Sequence, residues 1–287
     1  MRSSELDYEL PQELIAQHPP ERRDGSRLLV HDRASGETRH RRFDELPSEL
    51  PLRTVVVVND TRVLPARLRL ERPGGGEAEV LLLERVGENG TWEALARPSR
   101  KLRPGQQLGP VELLEPLADP ERYQTVYARR EGSAAAPTAG LHFTPELLAG
   151  VDVERVTLHV GLDTFRPLAA ETLEEHELHS ERYEVEPAAW ERIRTAERVL
   201  AVGTTTVRVL ESLARGAALS GRTDLFVTPG FEFRRVDSLL TNFHLPRSTL
   251  LALVMAFAGV EQTRGLYRLA IEERYRFYSF GDAMLLL

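Results

Sequence analysis

The chain has 287 residues, a net charge of −7, no cysteine, and a single lysine, Lys101, among 37 basic side chains. Without cysteine it can form no disulfide, thiolate zinc site, iron–sulfur cluster or cysteine nucleophile. No leader and no membrane span of about 20 apolar residues are expected from its pattern, which fits a soluble, cytoplasmic protein. The length allows two domains or one large one.

Residues 10–16 read as a short amphipathic helix that stops at His18-Pro19-Pro20. Residues 27–30 read as a strand, followed by a hairpin turn over residues 32–37. The β-branched run at residues 54–58 is the pattern of a strand buried on both faces. It ends in Asn59, Asp60, Thr61 and Arg62, polar residues where α/β proteins often bind ligands.

From Val63 to about Tyr127 the texture changes to short alternating stretches at 67–70, 77–83 and 91–96, separated by glycine-rich turns at 74–76 and 87–90. Such spacing predicts a small antiparallel barrel, inserted at residues 63–127 into an α/β domain made of residues 1–62 and 128–287. Its most basic loop carries Arg97, Arg100, Lys101 and Arg103. Residues 1–110 hold 18 basic and 18 acidic side chains, so the net negative charge falls wholly on the remainder. A local basic face for nucleic acid is therefore compatible with an acidic protein.

The small residues 134–140 predict a loop able to lie against a ligand. Thr144 caps a helix that starts at Pro145. Residues 153–161 form a strand carrying His159 near its end, residues 187–197 a helix, and residues 199–202 a buried strand. Gly203, Thr204 and Thr205 then open a helix that runs to Ser212, presenting N–H groups and hydroxyls to an anion or a ribose. Thr241, Asn242 and His244 form a polar cluster just before residues 250–258, the longest uncharged apolar run. That run predicts a buried helix capped by Ser248 or Thr249 and stopped by Gly259. Residues 275–284 predict a strand-like aromatic segment sealing the core.

His176 and His179, with His159 and His244, could ligate a metal, but the i, i+3 pair lies in no evident helix. Acid–base work is the favoured reading, because histidine titrates near neutral pH. No Walker loop, dinucleotide fingerprint or nucleophile elbow is present.

Several stretches carry a family resemblance. They are residues 59–67 (Asn-Asp-Thr-Arg-Val-Leu-Pro-Ala-Arg), 136–143 (Ala-Pro-Thr-Ala-Gly-Leu-His-Phe), 157–161 (Thr-Leu-His-Val-Gly), 179–181 (His-Ser-Glu), 203–208 (Gly-Thr-Thr-Thr-Val-Arg) and 241–246 (Thr-Asn-Phe-His-Leu-Pro). With the 275–284 ending, they closely resemble the S-adenosylmethionine:tRNA ribosyltransferase-isomerase family of queuosine biosynthesis, over nearly the whole chain and in the same order. The resemblance implies a mixed α/β fold, with a discontinuous α/β domain and an inserted Greek-key β-barrel. It implies transfer of the ribosyl part of S-adenosylmethionine to 7-aminomethyl-7-deazaguanine at the tRNA wobble position. Isomerisation to the epoxycyclopentanediol gives epoxyqueuosine, adenine and methionine.

S-adenosylmethionine is then a substrate, no metal is needed, and a monomer is expected. His142, His159, His179, Glu181 and His244 become acid–base candidates, with His244 the first choice for proton acceptor and His142 the next. Asn59, Thr61, Arg62, Pro137, Thr138, Gly140, Gly161, Gly203, Thr204, Thr205, Arg208, Thr241 and Asn242 become substrate-binding candidates. The basic loop becomes the tRNA contact. A rival reading, a tRNA-binding module without catalysis, would call for more stacking aromatics than 7%. The chain departs from the family in three ways. It is short between Gln107 and Tyr123, it has Asp163 where glycine is usual, and it has Asp60 where asparagine is more usual.

Overall fold

A computed structural model describes residues 1–64, 67–71, 76–85, 92–97, 111–113, 120–161, 168, 170–176 and 178–287. In chain order the strands are β1 (Arg27–His31), β2 (Thr38–Arg42), β3 (Thr54–Asn59), β4 (Thr61–Val63), β5 (Arg67–Glu71), β6 (Glu77–Arg85), β7 (Trp92–Arg97) and β8 (Val111–Leu113). There follow β9 (Arg130–Ser133), β10 (Asp152–Leu158), β11 (Glu181–Glu184), β12 (Arg198–Val202), β13 (Ser220–Thr223), β14 (Ser238–Asn242) and β15 (Ala283–Leu286). The helices are α1 (Leu46–Glu49), α2 (Pro145–Ala149), α3 (Pro187–Thr195), α4 (Thr204–Leu213), α5 (Thr249–Ala258) and α6 (Val260–Glu272).

Every residue of β3 is buried, as its run of valines requires. It lies within a nine-stranded mixed sheet of order β13-β11-β10-β3-β12-β14-β15-β1-β2. The strands β10, β3, β12 and β14 run parallel; β15 turns antiparallel to β14. Because side chains alternate across a strand, the sheet feeds two cores. Val55, Val57, Val199, Ala201 and Leu239 face one core, which is completed by α3, α4, α5 and α6. Val56, Val58, Leu200, Val202 and Leu240 face the other, closed by Phe43, Phe143 and the 3-10 turn at Thr138–Gly140.

The apolar run becomes α5, capped by the Ser248 hydroxyl and followed by Gly259 at φ +91°. That left-handed glycine lets α6 start at once. The sequence reading did not include α6, an amphipathic helix, nor β14 ahead of the polar cluster.

Two expected elements are absent in the form expected. Residues 10–16 make only a 3-10 turn at Gln12–Leu14. Prolines bracket the segment, and its backbone bonds go to Phe277 instead: Phe277 N–H reaches Leu14 O at 2.8 Å, and Ala16 N–H reaches Phe277 O at 3.1 Å. Residues 275–282 are irregular rather than a strand, since Arg274 and Tyr278 adopt positive φ. The segment does seal the core, with Tyr275 and Phe277 fully buried against Phe243.

Within residues 67–113 the strands form an antiparallel sheet of order β7-β6-β5-β8. With β8 lying beside β5, this is the strand order of a Greek key. Among the described residues the edge strands β7 and β8 do not pair with each other, so no closed barrel is formed there. The chain leaves the large sheet through β4 and returns through β9, which pairs with β4 in parallel.

Candidate active site at the carboxyl ends of the parallel strands

The chain runs from β3 to a neighbour on one side, β10, and then crosses to β12 on the other. A crevice is expected where the order reverses, outside the carboxyl ends of the strands. Asn59, His159, Gly203 and Asn242 all stand at that edge.

Asn59 ties three elements together. Its amide donates to Leu158 O at 3.0 Å and to Thr205 Oγ1 at 3.2 Å, while Oδ1 accepts from the N–H groups of Leu158 and Thr61. Such a fully satisfied buried amide fixes the β3–β10–α4 geometry. Thr61 Oγ1 lies 3.0 Å from Ser133 Oγ and 3.0 Å from His159 Nδ1. The ring of His159 packs on Gly132, where a Cβ would come within 2.7 Å of Nδ1. His159 is only partly buried.

Glu181 and Arg208 form a buried ion pair, each about 7% exposed. Glu181 Oε1 also accepts Gly161 N–H at 2.7 Å, and Arg208 donates to Leu225 O and Thr223 O at 2.9 Å each. Opposite charge and these further hydrogen bonds together are what make a buried charge pair tolerable.

The two leading histidine candidates, His244 and His142, are not brought together. Thr241 and Asn242 are consecutive in β14, so their side chains leave opposite faces of the sheet. Thr241 Oγ1 meets His244 Nε2 at 2.8 Å on the α5–α6 side, where the His244 backbone also bonds Tyr8 and Tyr267. Asn242 Nδ2 donates to His142 Nε2 at 3.2 Å on the other side. With Nε2 accepting, the His142 proton sits on Nδ1 and reaches Ser26 Oγ at 3.0 Å. Phe43 stacks on the ring at 4.8 Å. Burial pushes both imidazoles down to about 3, with Arg276 and Arg23 adding to the effect at His142.

Other expected residues are spread more widely. Pro137, Thr138 and Gly140 form the 3-10 turn beneath β14; a Cβ on Gly140 would lie 1.9 Å from the Tyr127 hydroxyl. Arg62 turns to Glu121 at 2.8 Å. His179 is exposed, in the loop before β11. Asp60 does not charge the crevice, because its carboxylate accepts the Thr157 hydroxyl at 2.6 Å under β10. Arg100, Lys101, Arg103 and Asp163 lie outside the described residues; the backbone of Arg97 ends β7. The sequence reading missed Ser133, Ser26 and Tyr127, lone residues outside any recognisable cluster. Of the two caps expected for the apolar helix, Ser248 takes the role and Thr249 does not. Among the described residues no group of histidines and carboxylates could hold a metal ion.

A mixed sheet whose parallel strands carry amides, hydroxyls and an imidazole at their carboxyl ends has the arrangement of the α/β class, in which ligands bind at that edge. The particular family follows from comparison. The chain matches the family described as queuosine biosynthesis protein over residues 3–115 and 107–286, and it belongs to that family. It is 52% identical to the S-adenosylmethionine:tRNA ribosyltransferase-isomerase of Rubrobacter xylanophilus, covering 100% of this chain and 98% of that protein. It is 50% identical to the protein of the same name from Moorella thermoacetica, covering both completely. A crystal structure of S-adenosylmethionine tRNA ribosyltransferase from Thermotoga maritima superposes with a TM-score of 0.64 at 39% identity, covering 99% of this chain and 100% of that one. The Rubrobacter alignment runs over 329 positions against the 287 residues here, so that relative carries segments this chain lacks. The family match itself divides at residues 107–115, inside the stretch that reads as short.

Proposed function

We propose that this chain is an S-adenosylmethionine:tRNA ribosyltransferase-isomerase. It moves the ribosyl group of S-adenosylmethionine onto the aminomethyl group of 7-aminomethyl-7-deazaguanine in tRNA, isomerises it, and releases adenine and methionine. The observation that carries this is identity of 43–52% along the whole chain to relatives bearing that name. The reaction starts from the substrate's own sulfonium, which acidifies the C5′ hydrogens. A base removes one of them to give the ylide, adenine leaves with a proton, and the tRNA amine attacks and gives up a proton. Methionine leaves as the C5′–S bond breaks, with its electron pair returning to sulfur. These steps ask the protein for proton transfer and charge stabilisation, which draw on no metal.

Burial redirects the choice of base. Burial holds both His142 and His244 down at about 3, so neither takes up a proton readily at neutral pH. Both suit fixed hydrogen-bonding roles better than proton acceptance. His159 is partly open to the crevice and oriented by Thr61, so it is the acceptor in this reading. Asn59, Thr205, Gly161 and the Glu181–Arg208 pair shape the floor. Pairing of β4 with β9 sets the exit and return of the chain side by side, and with the Greek-key order of β5–β8 this supports residues 63–127 as an inserted domain of barrel type. Arg97, Arg100, Lys101 and Arg103 on that domain contact tRNA, and the enzyme works as a cytoplasmic monomer.

The test is incubation with S-adenosylmethionine and precursor tRNA, reading free adenine. His159→Gln is expected to lower turnover by roughly 10²–10⁴ and to abolish solvent exchange at C5′, with tRNA affinity retained. No adenine from the wild type refutes the activity. Full exchange in His159→Gln, lost instead in His244→Gln, returns the base to His244.

A further inference from the structure

The N-terminus of α4 is buried and uncapped. Its N-cap is Gly203, which has no side chain to offer, and no acceptor among the described residues meets the N–H groups of Thr204, Thr205 and Thr206. By contrast, α5 begins with its Ser248 cap in place, 3.2 Å from Leu251 N. Buried helix ends without partners are rare, because each orphan donor costs free energy.

The side chains there repeat the pattern. Thr204 and Thr249 are each 6% exposed, and their hydroxyls have no hydrogen-bond partner among the described residues. Thr205 Oγ1 accepts from Asn59, which leaves its own proton for another acceptor. These three threonines line one cavity of about 20 Å³ with Arg208, Phe226 and Leu250. Arg208 lines it with three of its five N–H groups held by Glu181, Leu225 O and Thr223 O.

The site therefore offers N–H and O–H donors at the positive end of a ten-residue helix. Such a set of donors suits an anionic oxygen. The volume decides the class further: it exceeds the 10–15 Å³ or so that one water-sized group requires but cannot hold a base or a ribose. In S-adenosylmethionine the one anionic group is the carboxylate of the amino-acid end.

We propose that the N-terminus of α4, with the hydroxyls of Thr204 and Thr249, anchors that carboxylate. This rests on the functional reading above and specifies how the substrate enters. Anchored there by its carboxylate, the molecule turns its reacting C5′ toward the strand ends that carry Asn59, Thr61 and His159.

The experiment is calorimetric binding, without tRNA, of S-adenosylmethionine and of its decarboxylated analogue, S-adenosyl-3-methylthiopropylamine. The wild type is expected to prefer S-adenosylmethionine at least tenfold, since hydrogen bonds to a charged group are the strong ones. Thr204→Val and Thr249→Val, close in shape, are each expected to weaken S-adenosylmethionine about tenfold and to leave the analogue unchanged. Equal wild-type affinity for the two ligands overturns the anchor and leaves the enzyme assignment standing; this arm needs no variant to fold. Variants that weaken both ligands equally, or weaken tRNA binding alone, also overturn it. No binding of either ligand by the wild type sinks the functional reading and the anchor with it.

Discussion

Lowering the pH from 7.5 to 5 is expected to destabilise the protein by several kcal/mol through His142 and His244. Both are buried, and both are held down to about 3 in the folded chain against about 6.5 when unfolded. A folded-state value below the unfolded one means that protons bind on unfolding. Above pH 6.5 neither state is charged and nothing is lost; as pH falls from 6.5 toward 3, acid favours the unfolded chain. At pH 5 each histidine costs about 2 kcal/mol, and the pair about 4 kcal/mol, a large share of a typical stability of 5–15 kcal/mol. His31, also lowered by burial, acts in the same direction. Working above pH 5 keeps most carboxylates out of the titration. Urea unfolding at half-unit intervals is the assay, with His142→Asn and His244→Gln beside the wild type. Each variant is expected to remove about one proton of uptake, or about 1.4 kcal/mol per pH unit of slope, whatever its own stability. A wild type equally stable at pH 7.5 and 5, or a slope unchanged in both variants, refutes the account of two neutral buried imidazoles.

Gly140→Ala puts a Cβ on the Tyr127 hydroxyl and is expected to cost about 1–3 kcal/mol in denaturant unfolding. Tyr127→Phe removes a buried hydroxyl that has no hydrogen-bond partner among the described residues, so it should be nearly neutral alone and partly rescue Gly140→Ala; strict additivity counts against the contact. Glu181→Gln leaves Arg208 buried without its counter-charge, and a loss of about 3–5 kcal/mol in the same assay is expected. A change under about 1 kcal/mol means that the guanidinium finds another partner. Replacing Arg100, Lys101 and Arg103 together by alanine should weaken tRNA binding and flatten its salt dependence, with S-adenosylmethionine affinity unchanged. Unaltered tRNA affinity moves the nucleic-acid face elsewhere.

Local chemistry was legible in the sequence wherever one segment settles its own state. The valine run had to be buried on both faces, Thr144 with Pro145 had to start a helix, and the apolar residues after Ser248 had to form the helix now seen as α5. The ordered motifs also carried the family, because their identity does not depend on where they fold. What the sequence could not set was decided by pairings between distant segments. Residues 10–16 look helical alone and lose their helix to Phe277, a partner more than 250 residues away. Thr241, Asn242 and His244 look like one cluster, yet a strand alternates its side chains, and β14 sends His244 to one core and His142's partner to the other. Burial on those two sides then sets the protonation of both imidazoles, a property of surrounding apolar mass that no spacing of residues records. The bare N-terminus of α4 shows both limits at once. Gly203 and the threonines announce a turn able to hold an anion, but only the arrival of Asn59 and Thr249 from other strands and helices shows which donors remain unfilled.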